Sequence, residues 1–132
     1  MTGSTEMPTP IAAFFAAINA RDAMAAGKFL TDDVTYQLLV PYPAIEGRDA
    51  VVAALQKSLS EADRVRWEVV GFAVANDVAF VERVDRFWFG DNEAAIECTG
   101  VFQLRKGLIA AVRDYADFAT WRVRKEEAVK AT

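Results

Sequence analysis

Four strand-like segments separated by short turns fill the second half of the chain and constrain its fold most strongly. Each segment is rich in Val, Trp, Phe or Ile, and the breaks between them, Asn76-Asp77, Gly90-Asp91-Asn92 and Lys106-Gly107, are turn signals. Connections this short join antiparallel neighbours, because parallel neighbours need a crossover of a dozen or more residues. We therefore predict a four-stranded antiparallel meander. Its strands are Val65–Val74, Val78–Phe89, Ala94–Leu104 and Leu108–Phe118.

The first half of the chain predicts helices and one early strand. Thr9 can cap a helix, Pro10 suits its first position, and apolar residues then recur at helical spacing. Asp22 can cap a second helix whose buried side would contain Met24, Phe29 and Leu30. The remaining predicted boundaries are helices over 22–30, 47–63 and Trp121–Val129, and a strand over Val34–Leu39.

This order of elements predicts an α+β fold, with helices gathered on one face of an antiparallel sheet. A strongly curved sheet cupping those helices leaves a cavity open at one end, which is a natural site for a small molecule. The 132 residues are 53% hydrophobic and 26% charged, which suits a single domain over 1–132. Residues 1–8 are expected to form a flexible N terminus.

Charge and targeting signals exclude two classes of partner. Lys and Arg number 15 against 19 Asp and Glu, which gives a net charge of −4 without a basic cluster, so we expect no nucleic-acid binding. No signal peptide or membrane-spanning run is visible, so we expect a cytoplasmic protein without a membrane partner. The single cysteine, Cys98, fits a reducing compartment.

The complete lack of histidine narrows the chemistry. It excludes Ser-His-Asp and Cys-His catalysis and histidine-ligated metals. Acid–base work near neutral pH must then use Asp, Glu, Lys, Tyr or Cys with shifted pKa values. No glycine-rich phosphate loop or metal-ligand spacing appears, so we expect neither cofactor nor metal.

The second strand of the meander contains charged side chains at positions that we would expect to face the core. Side chains alternate along a strand, so Arg83 and Asp85 share a face with Phe87, and Asp114 shares a face with Val112 on the fourth strand. If the helices cover these faces, a guanidinium lies between two carboxylates across the third strand. The alternative is an exposed strand with solvated ion pairs, each worth ~0–1 kcal/mol.

Several segments resemble the limonene-1,2-epoxide hydrolase family. They are Glu82-Arg83-Val84-Asp85, Gly100–Leu104 and Arg113-Asp114-Tyr115, with Tyr36-Gln37 and Gly47–Val51 upstream. The wider superfamily resembles nuclear transport factor 2 and also includes ketosteroid isomerase and polyketide cyclases. The resemblance implies a curved sheet cupping helices in a cone-like fold, a homodimer, and activity without metal or cofactor.

The resemblance also implies roles for individual residues. Asp85 matches the general acid that protonates the epoxide oxygen, Asp114 matches the base that activates water, and Arg83 matches the bridge between them. Tyr36 matches one of two groups that position the water. The family has an asparagine as the second such group, where this chain has Leu38.

Apolar residues on the inner faces should line the cavity and favour a small lipophilic substrate. We expect Cys98 to act as a small buried residue, because no histidine is present to activate it as a nucleophile. The outer sheet face with Val84 and Trp88 is a candidate dimer interface. The predicted lining residues are Phe15, Met24, Leu38, Phe87, Ile96, Cys98 and Trp121.

Epoxide hydrolysis is thus the favoured function, and two alternatives stay open. The first is an isomerase or polyketide cyclase-like enzyme, in which one carboxylate abstracts a carbon-bound proton and an acid supports the enolate. The second is a binding domain without catalysis, in which the charged trio is only a structural ion-pair network.

Overall fold

Ten helices and strands run through residues 6–132, the part of the chain that the computed structural model describes. Residues 1–5 of the predicted flexible segment lie outside the described residues. The elements are α1 (Thr9–Asn19), α2 (Ala23–Gly27), β1 (Leu30–Gln37), β2 (Ile45–Glu46), α3 (Arg48–Ser60), β3 (Arg64–Ala75), β4 (Val78–Phe89), β5 (Asn92–Arg105), β6 (Leu108–Ala116) and α4 (Phe118–Lys130).

The six strands form one curved sheet in the order β2-β1-β6-β5-β4-β3. Strands β3 to β6 pair antiparallel with their sequence neighbours, which confirms the predicted meander. β1 then pairs parallel with β6 and antiparallel with the short β2. The α+β prediction is also confirmed, with β5 between the two strands that carry the predicted charged residues.

The helices bury their apolar stripes to form one core with the sheet. In α1 the fully buried residues Ile11, Phe14 and Ile18 lie at the predicted helical spacing, and in α3 Leu55 and Leu59 do the same. On the sheet side the core includes Val34, Tyr36, Val81, Phe102, Ile109 and Val112. The helices therefore cover the sheet face that carries the predicted site.

The predicted second helix is shorter than expected. Asp22 caps it, since its carboxylate accepts a hydrogen bond from the amide of Ala25 (3.0 Å), but the helix ends at Gly27. Leu30 instead begins β1, where it pairs with Ile109 of β6 and is fully buried. Met24, predicted to be buried, is 71% exposed. Sheet pairing thus prevails over the local helical pattern.

Other element ends also differ from the predictions. The Thr9 side chain caps nothing, because α1 follows Pro8 at its N-cap without a side-chain hydrogen bond. β1 ends at Gln37, so Leu38 lies beyond the strand. β6 ends at Ala116, because the Asp117 carboxylate accepts a hydrogen bond from the Thr120 amide (3.3 Å) and starts α4 there. The two-residue strand β2 was not predicted.

No helix within residues 6–132 is long and apolar enough to cross a bilayer.

The α1 helix is tied to the edge strand β3 through one side chain. Asn19 Oδ1 accepts from the Trp67 amide (2.7 Å), and Asn19 Nδ2 donates to the Trp67 carbonyl (3.3 Å). The backbone amide and carbonyl of Trp67 thus point away from β4. Trp67 and its register partner Asp85 therefore form a non-hydrogen-bonded pair, in which the side chains lie closer together than in a hydrogen-bonded pair.

Replacing Asn19 with Ala should lower the free energy of unfolding by roughly 1–3 kcal/mol, because the Trp67 amide and carbonyl lose their partners. Urea denaturation measures this loss. The control Gln56→Ala removes an exposed amide of α3 and should change stability by less than about 0.5 kcal/mol. Equal losses of unfolding free energy in the two variants would show that the hydrogen bonds between Asn19 and Trp67 do not stabilise the position of β3.

Candidate active site

Arg83 and Asp85 of β4 meet Asp114 of β6 in the interior, although β5 lies between the two strands. Arg83 Nε donates to Asp85 Oδ1 (2.7 Å) and Nη2 donates to Asp85 Oδ2 (3.2 Å). Arg83 Nη1 donates to Asp114 Oδ1 (3.1 Å) and Nη2 donates to Asp114 Oδ2 (2.7 Å). The three residues are 1%, 6% and 4% exposed, so the alternative of an exposed, solvated strand does not hold.

Gly100 of β5 makes this approach possible. It pairs with Val81 of β4 and with Asp114 of β6, directly between the two strands that carry the charges. A Cβ atom at Gly100 would lie 2.6 Å from both Arg83 Nη1 and Asp114 Oδ1. The guanidinium therefore crosses β5 over bare backbone. The sequence did signal this role, since a glycine inside a strand often marks a close approach.

Aromatic rings surround the guanidinium on its remaining sides. The Arg83 Cζ atom lies 4.9 Å from the Trp67 ring centroid and 5.5 Å from that of Phe15. These ring faces give the buried cation further electrostatic stabilisation. Phe15 also packs against Phe102 and Trp67, with ring centroids 5.5 and 6.4 Å away.

Burial and charge set different protonation behaviour for the members of the cluster. Burial raises the pKa of Asp85 to about 6, although the adjacent Arg83 opposes the rise. Burial also disfavours the Arg83 cation, but the charges of Asp114 and Asp85 outweigh it and raise the pKa of Arg83. The cluster thus holds a permanent cation and a carboxyl group, Asp85, that can stay protonated in weakly acidic solution.

A mostly apolar cavity of about 230 Å³ opens onto both carboxyl groups. Five of the seven predicted lining residues line it: Leu38, Phe87, Ile96, Cys98 and Trp121. Sequence reasoning missed several others, of which Ser58 and Trp67 are polar. The complete lining is Leu38, Leu39, Ser58, Trp67, Asp85, Phe87, Ile96, Cys98, Asp114, Ala116, Phe118 and Trp121.

Two predicted lining residues lie elsewhere. Met24 lies in a separate groove beside Gly27, Arg48 and Val52, because α2 turns Ala23 and Ala26 into the core and leaves Met24 exposed. Phe15 does not line the cavity and instead packs behind the guanidinium of Arg83, within the core.

Two buried polar atoms have no hydrogen-bond partner among residues 6–132, the Tyr36 hydroxyl and Trp67 Nε1. Burial and the nearby Asp114 charge raise the pKa of Tyr36, so its phenol stays neutral and can donate a hydrogen bond. The Trp67 indole can only donate. Trp67 lines the cavity, whereas Tyr36 is fully buried and is not among the lining residues. The unpaired Trp67 nitrogen beside the cavity could not be deduced from the sequence.

The described chain offers little for covalent or metal chemistry. Burial raises the pKa of the Cys98 thiol, which keeps it protonated and a poor nucleophile. Within residues 6–132 no three His, Cys, Asp or Glu side chains are grouped so that they could hold a metal ion.

Comparison with known proteins places the fold. The family model described as a SnoaL-like domain matches residues 11–112. No curated protein matches the sequence.

Three solved structures share the architecture. A hypothetical protein of ketosteroid isomerase-like fold from Catenulispora acidiphila DSM 44928, in complex with trimethylamine, has a TM-score of 0.81 at 17% identity, covering 92% of this chain and 95% of that one. An LEH-like epoxide hydrolase from M. tuberculosis has a TM-score of 0.76 at 23% identity, with 94% and 92% covered. A putative polyketide cyclase from Xanthomonas campestris pv. campestris has a TM-score of 0.76 at 20% identity, with 87% and 93% covered. At these identities the likeness establishes the fold alone.

Gly100→Ala should destabilise the protein by roughly 1–3 kcal/mol, because the new methyl group overlaps the contact between Arg83 and Asp114. Thermal unfolding of the purified variant measures the loss. Gly71→Ala is the matched control, since a Cβ atom at this strand glycine meets nothing within 4 Å. If both variants unfold like the native chain, Gly100 is not needed for the close approach.

Proposed function

The chain belongs to the SnoaL-like domain family, and from that premise we propose that it is an enzyme that hydrolyses a lipophilic epoxide to a vicinal diol without a cofactor. The observation that carries the proposal is the buried cluster of Arg83, Asp85 and Asp114 at an apolar cavity. The fold is shared by an LEH-like epoxide hydrolase, and the sequence resemblance to the limonene-1,2-epoxide hydrolase family matches the same three residues.

Asp85 is the general acid in this proposal. Its carboxyl group borders the cavity and its pKa is raised to about 6, so a useful fraction carries a proton in weakly acidic to neutral solution. When the ring opens, the epoxide oxygen becomes an alkoxide that needs a proton. Asp85 supplies that proton and becomes a carboxylate beside Arg83, whose cation stabilises the new charge.

Asp114 is the general base. Two hydrogen bonds from Arg83 fix the orientation of its carboxyl group at the cavity. It takes a proton from water as the water oxygen attacks an epoxide carbon, and the carbon–oxygen bond of the ring breaks in the same step. Afterwards Asp114 is protonated and Asp85 is not, so one proton must return between them before the next turnover. Arg83 contacts both carboxyl groups throughout.

Water positioning differs from the resemblance at one place. The Tyr36 hydroxyl is a buried donor without a protein partner among residues 6–132 and lies close enough to Asp114 to feel its charge. We assign it to the water, although Tyr36 is not among the residues that line the cavity. Leu38, at the position of the family's asparagine, lines the cavity but has no polar atom to offer. The indole N–H of Trp67, which lines the same cavity, is the donor we assign to compensate.

The proposal also includes the chemical class of the substrate. The apolar lining favours a small lipophilic substrate over a sugar or a nucleotide.

A homodimer is the proposed oligomeric state. It would use the outer sheet face, where Phe80 and Tyr115 are exposed and Val84 and Trp88 are partly buried. Analytical ultracentrifugation measures whether the protein is a dimer in solution.

A proton-transfer isomerase or cyclase is the second candidate. Two of the similar structures are a protein of ketosteroid isomerase-like fold and a putative polyketide cyclase. The same acid–base pair suits this chemistry, with Asp114 abstracting a carbon-bound proton and protonated Asp85 supporting the enolate. Only hydrolysis would place a solvent oxygen in the product. A binding domain without catalysis would turn over neither class.

Incubation with cyclic and aliphatic epoxides in oxygen-18 water should give diol with one labelled oxygen. Asp85→Asn and Asp114→Asn should each lower kcat at least ~100-fold, because each removes one proton-transfer group. Asp77→Asn, which neutralises an exposed carboxylate in the turn after β3, is the matched control and should keep full activity. Mass spectrometry of the diol gives both readouts.

Full activity in Asp114→Asn would contradict the mechanism. Native protein that forms no diol but exchanges a carbon-bound proton of a carbonyl substrate with deuterium oxide would favour the isomerase.

The kcat/KM for an uncharged epoxide should fall with rising pH above about 6, by tenfold per pH unit. The acid form of Asp85 is present below its raised pKa and is lost above it, so the active fraction falls as the proton leaves. A rate profile from pH 4.5 to 9 measures this limb. A profile that stays flat to pH 9 would remove Asp85 from the role of acid.

A further inference from the structure

The catalytic cavity continues into a second groove. A groove of about 320 Å³ lies beside it, and the two share four lining residues: Leu38, Ser58, Phe87 and Trp121. We call these four residues the neck. Three of the four side chains are apolar, so a hydrocarbon chain leaving the cavity would find a continuous apolar path into the groove.

The outer groove contains a positive charge that no described carboxylate neutralises. Its charged residues are Lys57, Glu61 and Lys125. Lys125 Nζ pairs with Glu61 Oε2 at 2.9 Å, so these two charges cancel. Lys57 is exposed and makes no side-chain ion pair or hydrogen bond within residues 6–132. One net positive charge therefore lies in the outer groove and outside the cavity, in a chain whose net charge is −4.

The neck itself carries one polar group. The hydroxyl of Ser58 makes no hydrogen bond within the described part of the chain, and Ser58 is half-buried next to Lys57 in α3. The Ser58 hydroxyl is thus shared by the cavity and the groove, whereas the Lys57 ammonium group lines the groove alone.

We propose that this groove binds the carboxylate of the substrate, which is an amphiphilic epoxide with an apolar chain between its ring and its acid group. This assignment rests on the proposed function, since it places the ring at Asp85 and Asp114. The chain passes the neck, and the carboxylate reaches Lys57 where it stays partly hydrated. A single unpaired lysine suits a monoanion, because Glu61 already cancels the charge of Lys125 and only one net positive charge is left for an anion.

The decisive experiment compares epoxyalkanoates of several chain lengths with their methyl esters. An exposed ion pair changes affinity only modestly, so Lys57→Met should raise KM for the best acid about fivefold and leave kcat unchanged. Lys57→Glu should raise it further, since it turns attraction into repulsion. Neither substitution should change KM for the ester by more than about twofold.

Lys28→Met is the matched control, because Lys28 lies in the separate groove near Met24. It should leave KM unchanged for both acid and ester. Equal KM changes for acid and ester in Lys57→Met, or no change for the acid, would overturn the assignment.

Decanoate binding separates this proposal from the hydrolase proposal. Trp121 lies in the neck, so decanoate should quench tryptophan fluorescence, with a Kd about fivefold higher in Lys57→Met and with decanol unaffected by the substitution. If no epoxide is hydrolysed but decanoate binds Lys57→Met more weakly than the native protein, the hydrolase proposal fails and the assignment of the groove as a carboxylate site is supported. If epoxides are hydrolysed while decanoate binds both proteins equally or neither, the groove assignment fails alone.

Discussion

The fully buried guanidinium of Arg83 is the constraint on which the site depends. A buried cation costs several kcal/mol unless its N–H groups and its charge are matched, and breaking such a pair by removing one partner costs about 3–5 kcal/mol. Here two carboxyl groups accept its hydrogen bonds, and the faces of Trp67 and Phe15 lie against it. The three neighbouring strands must therefore keep their register, and β5 must present a residue without a side chain at Gly100.

The same arrangement gives chemically similar residues different tasks. One guanidinium cannot keep two buried carboxylates fully charged against their desolvation and mutual repulsion, and the raised pKa of Asp85 expresses this conflict. Arg83 donates two hydrogen bonds to each carboxyl group, and burial lets Asp85 keep a proton more readily, which suits the proposed acid–base pair without histidine. The aromatic packing that stabilises Arg83 also excludes water from behind it, so the cluster meets small molecules from the cavity side.

Sequence periodicity predicted the parts of the molecule that depend on alternation. The pattern around Arg83 and Asp85 placed both side chains on the same face as Phe87, because the period of a strand is two whatever surrounds it. Which face the helices cover could not be predicted from that pattern. Leu30 was misplaced because its pairing with β6 is a long-range contact that the local pattern does not contain. Met24 was misplaced because α2 buries its small residues Ala23 and Ala26 instead. The unpaired Trp67 nitrogen and the Ser58 hydroxyl depend on packing between separate elements, so spacing gave no sign of either.

Leu38 lies where the cavity meets the outer groove. It follows the last residue of β1, is 42% exposed, and lines both the cavity and the outer groove. An amide at this position could hold water, but it would interrupt the apolar path along the neck and need hydrogen-bond partners there. A leucine continues the path, and in the proposed mechanism the task of holding water then falls to the buried donors Tyr36 and Trp67. The departure from the resembled family at this residue thus coincides with the place where a longer substrate would leave the cavity.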